Sequence, residues 1–432
     1  MRLLAVFIML LAVCLSTVLA RVNIITPDNG TETPDTRPTD DPFTPHTDDW
    51  SIPNPTLLEW TYTEDYQEPT CDIYLSENRD MALSDLFASG ISDTVFPIWN
   101  LRLDNRYYWM VALFDRGDYV RSTRTYRFDT PSLWPRMIYL DGTTNVRDIG
   151  GRENMNGNLV RQGLYYRSAE LNMRHPITEL GIQQIMDLGV ISEIDLRRKD
   201  EGANPALPPE INYIHSQVTG IESYWYGVNY TQDQYREVFR ELARAENYPL
   251  LIHCWAGADR TGTITALLEA VLNCSEEQIL LNFQWTSLSI YGTRGDPNAP
   301  SFAEWNNLMA YLKEFDTDNG TLQKGVWNYL LSIGVTTEEL NAIREILLED
   351  PVAVESPNLH YVQSPRTGFN SGKILVHPLV KNRIDLSPET AHIKIYDFLG
   401  RTILNLDQND IRKNQNISLP RNFKTPSILT FE

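Results

Sequence analysis

The stretch "LLIHCWAGADRTGTITALLEAVL", residues 250–272, constrains the fold of this 432-residue chain more than any other. It begins as a short apolar run typical of a buried strand, crosses a small polar loop, and resumes as an apolar segment of helical length. Buried strands that lead through tight loops into helices are the repeating units of α/β domains. The stretch therefore predicts an α/β domain, with a largely parallel sheet flanked by helices.

The sequence around this stretch extends the α/β pattern over residues 132–350. "ITELGIQQIMDLG" and "TQDQYREVFRELARAE" have helical spacing, whereas "VISEIDLR" and "YPLLIHC" are short apolar strands. "SEEQ" and "TTEE" are capping-box patterns that predict the starts of two further helices.

The N-terminus, "MRLLAVFIMLLAVCLSTVLA", is typical of a secretory signal peptide that is cleaved after Ala20. We therefore expect a secreted, periplasmic or cell-surface protein with no membrane-spanning segment after cleavage. Three cysteines remain beyond residue 20, namely Cys71, Cys254 and Cys274, and an odd number leaves at least one free thiol. Residues 21–52 are rich in Pro, Thr and Asp, which predicts a linker.

Residues 53–131 contain short alternating runs rich in Tyr, Trp and Val, which predict an antiparallel β-sandwich. Trp60, together with Leu101 and Tyr107 in "LRLDNRYYWMV", resembles the core tryptophan and tyrosine corner of fibronectin type III domains. The resemblance implies a spacer or a module that binds a carbohydrate or protein ligand. After a second linker over 351–370, strand patterns return in 371–432. This small β domain resembles the C-terminal sorting domains of type IX secretion in Bacteroidetes, which implies export by that route.

The charge of the chain restricts its partners. A formal net charge of −20 excludes nucleic acid and anionic membrane surfaces as general partners, because their phosphates would be repelled. An anionic substrate must instead be captured locally, by backbone N–H groups and a few placed cations.

The loop "HCWAGADRTG" has the composition needed for such capture. The N-terminus of a helix offers unpaired N–H groups and a positive dipole end, so the loop backbone can form a nest for an oxyanion. Arg260 can match two oxygens of a tetrahedral anion, and Gly257 allows a close approach or a positive φ. Cys254 lies at the base of the nest, where a thiolate is favoured. The phosphate-binding residues predicted from this pattern are Trp255, Ala256, Gly257, Ala258, Asp259 and Arg260.

This arrangement predicts a loop that binds a phosphate group and attacks it through the Cys254 sulfur, with no metal or cofactor. Thr261 can donate its hydroxyl to the sulfur when the sulfur leaves. His253 is predicted to point away from the nest and to hold the loop, and Gly262 completes the pattern.

The pattern H-C-x-x-G-x-x-R-[ST]-G resembles the loop of cysteine-dependent tyrosine phosphatases, in particular the bacterial tyrosine/serine family with "HCxAGKDRTG". "TTNVRDIGG", "LYYRSAEL" and "ISEIDLRRKDE" resemble further motifs of that family. The resemblance implies hydrolysis of a phosphorylated protein or small phosphomonoester, mainly phosphotyrosine. Ala258 replaces the family's lysine, a contact for a second phosphate, which disfavours phosphoinositides.

Two questions stay open at the level of sequence. The general acid is Asp259, Asp195 or Asp148, since each is a carboxylate in or near a family motif. Arg147 and Arg167 are predicted to be structural. The rival functions are a phosphatase of the same mechanism that acts on inositol phosphates or phosphoinositides, and a phosphate-binding pseudo-enzyme in which the β modules carry the function.

Overall fold

The computed structural model describes residues 22–42, 48–63, 65–219, 224–292 and 296–349, and the backbone of four strands between 373 and 431. The predicted signal peptide and the linker over 351–370 lie outside the described residues. Within the described part, no helix is both long and apolar enough to cross a bilayer.

The N-terminal part consists of two β-sheets that share one core. Its strands are β1 (Val22–Thr26), β2 (Thr31–Glu32), β3 (Thr56–Tyr62), β4 (Pro69–Ser76), β5 (Leu86–Ile91), β6 (Val95–Ile98), β7 (Arg106–Asp115), β8 (Asp118–Ser122) and β9 (Tyr126–Asp129). One sheet has the order β1-β3-β6, and the other has the order β2-β9-β7-β4-β5, with β8 paired to β7. The neighbours are antiparallel except for β2 and β9.

Trp60 lies in the core between these sheets and is fully buried. The Tyr107 hydroxyl accepts a hydrogen bond of 2.9 Å from the backbone N–H of Arg102, which ties the start of β7 to the chain before it. Part of the predicted linker is ordered, since β1 pairs with β3 and Val22 and Ile24 pack against the sandwich core. These two apolar residues pack against the core, but the Pro- and Thr-rich composition of the whole segment gave no sign of them as a strand.

The α/β domain is built on a six-stranded sheet with the order β10-β11-β14-β17-β15-β16. The four strands from β14 to β16 in this order are parallel, as predicted, and two short antiparallel strands extend one edge. The strands of this domain are β10 (Arg136–Met137), β11 (Arg147–Asp148), β12 (Arg152–Glu153), β13 (Leu159–Val160), β14 (Tyr165–Ser168), β15 (Ser192–Asp195), β16 (Asn212–His215), β17 (Leu250–His253) and β18 (Leu348–Glu349); β12, β13 and β18 form a separate small sheet.

Eight α-helices of the described residues surround this sheet. They are α1 (Glu179–Asp187), α2 (Tyr224–Tyr230), α3 (Gln232–Leu242), α4 (Arg260–Val271), α5 (Glu276–Gln284), α6 (Pro300–Lys313), α7 (Leu322–Ser332) and α8 (Thr337–Leu347). Every residue of α4 is buried, including the charged Arg260 and Glu269, so this helix is enclosed on all sides by the domain. The predicted capping boxes start α5 and α8.

The C-terminal strands are β19 (Lys373–Val376), β20 (His392–Asp397), β21 (Thr402–Asp407) and β22 (Ser427–Phe431). They form an antiparallel sheet with the order β19-β22-β20-β21, as the strand patterns of this segment predicted. The side chains of this tail are not among the described features.

Candidate active site

The predicted phosphate loop lies at the end of a central strand. β17 runs between β14 and β15 and ends at His253, and Cys254 follows it with only 2% of its surface exposed. The loop then turns into α4, which begins at Arg260. In parallel sheets the carboxyl ends of the strands open into the crevice where ligands bind. The loop therefore lies where substrate chemistry is expected in this fold.

Three successive carbonyl groups of the loop are bound from outside. The donors are the Glu170 N–H to Trp255 O at 2.9 Å, the Asn145 Nδ2 to Ala256 O at 2.9 Å, and the Arg167 Nη2 to Gly257 O at 2.6 Å. Each carbonyl points away from the N–H of the same planar peptide unit. The three N–H groups that follow, those of residues 256–258, therefore point to the opposite side, as the predicted oxyanion nest requires.

Gly257 is required by the loop itself. Its φ is +65°, and a β-carbon at this position would lie 2.3 Å from the carbonyl oxygen of Ser168. Any side chain would collide with the end of β14. The close approach predicted at Gly257 is therefore between the loop and the end of β14. It allows the loop to curve tightly.

Arg260 is aimed by a carboxylate. Its Nη1 and Nη2 donate to the two oxygens of Glu201 at 2.7 and 3.1 Å, while its buried Nε has no partner among the described residues. Burial alone would raise the pKa of Glu201, but the hydrogen bonds from Arg260 and from the Arg198 backbone outweigh it and lower that pKa. The pair therefore stabilises the fold above the ordinary pKa of glutamate, about 4.3. This contribution is lost as the pH falls through the lower folded-state value.

The ring of His253 contacts the neighbouring strand β15 and the carbonyl of Cys254. It is fully buried, and its Nε2 lies 3.0 Å from a Glu193 oxygen and its Nδ1 3.9 Å from an Asp195 oxygen. Burial lowers the pKa of His253, but the two carboxylates raise it by more, so this pKa lies above its ordinary value. The ligand atoms of these three residues lie within 4.8 Å of one another. Since Arg197 already binds both oxygens of Asp195, the cluster is satisfied by protein hydrogen bonds.

Two of the three general-acid candidates are committed to structural contacts. Asp195 is fully buried, and its oxygens accept from the backbone and side chain of Arg197 and from the Tyr213 hydroxyl. Asp148 is also fully buried, and it accepts from Arg136 at 2.7 Å and from the backbone N–H groups of Gly150 and Gly163. Neither carboxylate faces the nest.

Asp259 is placed differently. It is half-buried at the start of α4, makes no capping bond to that helix, and accepts a hydrogen bond of 2.9 Å from the Tyr224 hydroxyl. Thr261, two residues further along the chain, has a buried hydroxyl with no partner among the described residues. The loop and the first turn of α4 therefore offer a half-buried carboxylate and a buried hydroxyl.

With this geometry established, the comparisons with known proteins decide the family. Residues 138–349 match the model of the tyrosine phosphatase family. These residues belong to that family. A tyrosine-protein phosphatase of Nostoc commune is 27% identical over 219 residues, which cover 42% of this chain and 72% of the relative. The chain therefore carries an enzyme domain of the tyrosine phosphatase family.

Two further proteins are similar over shorter spans or at lower identity. An inositol diphosphatase of Arabidopsis thaliana is 31% identical over 75 residues, which cover 16% of this chain and 38% of the relative. The solved core catalytic domain of the PP-IP phosphatase SIW14 from S. cerevisiae, in complex with citrate, is 16% identical. The matched region covers 34% of this chain and 84% of the SIW14 chain, and the TM-score is 0.23.

The tyrosine phosphatase domain contains supporting residues that sequence reasoning did not assign. Glu201, Asn145 and Glu170 all lie inside the quoted family motifs, but the motifs do not reveal which backbone or side-chain group each one holds. Arg167, predicted to be structural, supports the loop at Gly257 O. Arg147 donates to Asn145 Oδ1 at 2.6 Å and so orients the amide that holds the next carbonyl.

Ala258 and Trp255 differ in their exposure. Ala258, where the resemblance implies a lysine that contacts a second phosphate, is fully buried in the tyrosine phosphatase domain. The half-buried ring of Trp255 lies at the outer side of the loop instead, with the exposed guanidinium of Arg174 over it at 4.6 Å. The side chain of Arg174 has no carboxylate partner among the described residues. Arg174 therefore places an exposed cation beside the ring of Trp255.

We expect Glu201→Gln to lower kcat/KM for an aryl phosphate about 10- to 100-fold, the effect of losing a charged hydrogen bond. A neutral amide presents only one acceptor to Arg260, so the guanidinium loses its bidentate orientation. Asp200→Asn is the matched control, because Asp200 is exposed and pairs only with Arg198 among the described residues. Equal kinetics in the two variants would contradict the role of Glu201.

Proposed function

We propose that this protein hydrolyses phosphomonoesters, with protein phosphotyrosine as its substrate, through a cysteinyl-phosphate intermediate. The observation that carries the proposal is the loop after β17. Its carbonyls are tied outward, its N–H groups point inward, and Arg260 is aimed by Glu201 next to Cys254. These donors complement a phosphate dianion and the additional charge of its transition state.

The proposed reaction has two steps. The Cys254 thiolate attacks the phosphorus while the P–O bond to the tyrosine breaks, and the leaving oxygen takes a proton from Asp259. A water molecule then attacks the cysteinyl-phosphate and gives its proton to the Asp259 carboxylate. Inorganic phosphate and the thiolate are released, and the Thr261 hydroxyl stabilises the sulfur as it leaves. Every proton and electron pair is returned, so no co-reactant other than water is consumed.

The pseudo-enzyme alternative is disfavoured by the same residues. A protein that only binds phosphate needs the nest and the arginine, but it has no need for a thiol at the base. A buried carboxylate that aims the arginine is likewise of most use during a reaction, when charge on the phosphoryl oxygens must be matched closely.

Arg174 indicates which phosphotyrosine sites are preferred. Stacking on Trp255 holds the guanidinium beside the loop and leaves its N–H groups free for an anion. We expect peptides with an Asp or Glu next to the phosphotyrosine to be hydrolysed about 2- to 5-fold faster than peptides with Asn or Gln there, because a surface ion pair is worth at most about 1 kcal/mol. The preference is measured as the ratio of kcat/KM for the acidic peptides to that for the amide peptides, at low and at high salt.

Arg174→Ala should abolish the preference without changing the rate on a simple aryl phosphate. Arg124→Ala is the matched control, since Arg124 lies over Tyr126 at 4.9 Å in the sandwich, away from the loop. A preference that persists in Arg174→Ala would overturn this assignment.

The rival substrate class is inositol phosphates, because the similar Arabidopsis protein is named as an inositol diphosphatase. Arg174 could also meet a second phosphate on such a ligand. A panel of phosphotyrosine peptides and inositol phosphates at matched concentrations separates the two. Higher kcat/KM on the inositol phosphates would replace the phosphotyrosine proposal while leaving the mechanism intact.

We also propose that the mature protein begins near Arg21 and lies outside the cytoplasm, on the basis of the signal-like N-terminus and the sorting-like tail. N-terminal sequencing of the protein from its native cells, with fractionation, tests this. Cytosolic protein with an intact Met1 would contradict it. An uncleaved tail on periplasmic protein would contradict only export by the type IX route.

A further inference from the structure

A short segment outside the family match reaches the walls of the phosphate loop. Asp49, Trp50 and Ser51 lie well before residue 138, where that match begins, in what the composition predicted to be linker. The Trp50 N–H donates to the carbonyl of Leu288 at 2.9 Å, and Ser51 is 2% exposed. A serine so deeply buried must have partners for its hydroxyl.

The Ser51 hydroxyl uses all of its hydrogen-bonding capacity. It accepts from the Asn145 N–H at 2.9 Å and lies 3.0 Å from the Thr144 hydroxyl. It also lies 2.6 Å from Asp49 Oδ1. An ionised carboxylate can only accept hydrogen bonds, so the Ser51 hydroxyl donates its one hydrogen bond to Asp49. It therefore accepts a hydrogen bond from the Thr144 hydroxyl.

Asn145 connects this hydroxyl to the loop. Its backbone is in the left-handed region with φ +60°, a conformation that a non-glycine residue needs support to hold. Its Nδ2 donates to Ala256 O at 2.9 Å, and its Oδ1 accepts from Arg147 at 2.6 Å. Fixing the Asn145 backbone therefore fixes the amide that turns the Ala256 carbonyl outward and the next N–H inward.

We propose that Ser51 is a positioning residue for the phosphate loop, supplied by the segment that precedes the β-sandwich strand β3. The inference rests on the proposed function, because it concerns how well the loop binds a phosphoryl group. The tyrosine phosphatase domain is thus completed by residues that its family motifs do not contain.

The test is Ser51→Ala in the full chain, measured in two ways. We expect kcat on an aryl phosphate to fall about tenfold, the effect of leaving a buried donor without its acceptor. We also expect the concentration of inorganic phosphate that half-protects Cys254 from alkylation by iodoacetamide to rise by a similar factor, with the modified cysteine identified by mass spectrometry. Unchanged kinetics and protection in a folded Ser51→Ala protein would overturn the proposal.

Thr130→Val is the matched control for a general loss of stability. Thr130 is a buried residue outside the family match, and its hydroxyl accepts from the Asn105 N–H at 3.0 Å and donates to the Arg102 carbonyl at 2.6 Å. We expect it to lower Tm without changing either kinetic reading. Equal changes in kcat for the two variants would show that Ser51 acts only through stability.

A double-mutant cycle tests the route through Asn145. In the Asn145→Ala background, Ser51→Ala should change kcat less than twofold further, whereas independent, multiplicative losses would contradict the connection.

If Ser51→Ala does not fold, Asp49→Ala takes its place as the test. This change at a half-buried position removes the acceptor of the hydrogen bond from the Ser51 hydroxyl, and it should give a smaller loss of the same kind. A wild type that hydrolyses no phosphate ester would refute the proposed function alone, since phosphate protection of Cys254 still decides the role of Ser51.

Discussion

Cys254→Ser is expected to lower the rate of aryl phosphate hydrolysis by about 10,000-fold or more, which corresponds to about 5.5 kcal/mol of barrier. A serine hydroxyl stays protonated at neutral pH, so it is a far weaker nucleophile than a thiolate. The wild-type rate should be unaffected by chelators and blocked by vanadate, because the loop donors and Arg260 supply the positive charge that the reaction needs.

Cys274→Ser is the matched control for this prediction. Burial raises the pKa of Cys274 to about 12 and that of Cys71 to about 11, so both thiols stay protonated near pH 7. Both are also free of disulfides. Cys274→Ser should therefore keep the wild-type kcat. Substantial activity in Cys254→Ser, or loss of activity in Cys274→Ser with the fold intact, would refute the assigned nucleophile.

Asp259→Asn is expected to slow hydrolysis of phosphotyrosine about 100- to 10,000-fold, the usual contribution of a general acid. The same change should have little effect on an ester with an acidic phenol, because such a phenolate leaves without a proton. The phenol of tyrosine has a pKa of about 10 and needs one. The measurement is the ratio of kcat/KM for the two substrates in each variant.

Asp195→Asn should slow both substrates alike, because Asp195 orders Arg197 and Tyr213 rather than facing the loop. The comparison is internal to each variant, so partial unfolding cannot imitate selective loss. Selective loss in Asp195→Asn without it in Asp259→Asn would move the acid role to Asp195. Selective loss in neither would leave Asp148, which is buried and bound to Arg136, as the next residue to substitute.

Much of the site was predictable because the chemistry is local in sequence. Cys254, Gly257 and Arg260 lie within seven residues, and a strand, a loop and a helix start suffice to bring them together. The parallel sheet followed from apolar strands that alternate with helical segments. In these stretches, periodicity and loop composition specify the same structure that tertiary packing produces.

The supporting contacts were not predictable in the same way. Glu201 meets Arg260 across 59 positions, and Asn145 meets Ala256 across 111. No periodicity connects such residues, and each of them has a side chain that also suits an exposed loop. The three aspartates show the same limit, since each is a carboxylate in or near a family motif and only burial and hydrogen bonding distinguish Asp259 from Asp195 and Asp148.

The amino-acid sequence by itself predicted the nucleophile and the phosphate-binding loop and determined the α/β class, because these depend on backbone geometry and residue chemistry over a short span. The tertiary structure alone decided which carboxylate aims Arg260, where Ala258 and Arg174 lie, and that Ser51 is part of the loop's support. The physical reason is that orientation of a buried polar group depends on partners brought from distant parts of the chain. Those partners become neighbours only when the sheet has formed and the core has closed around it.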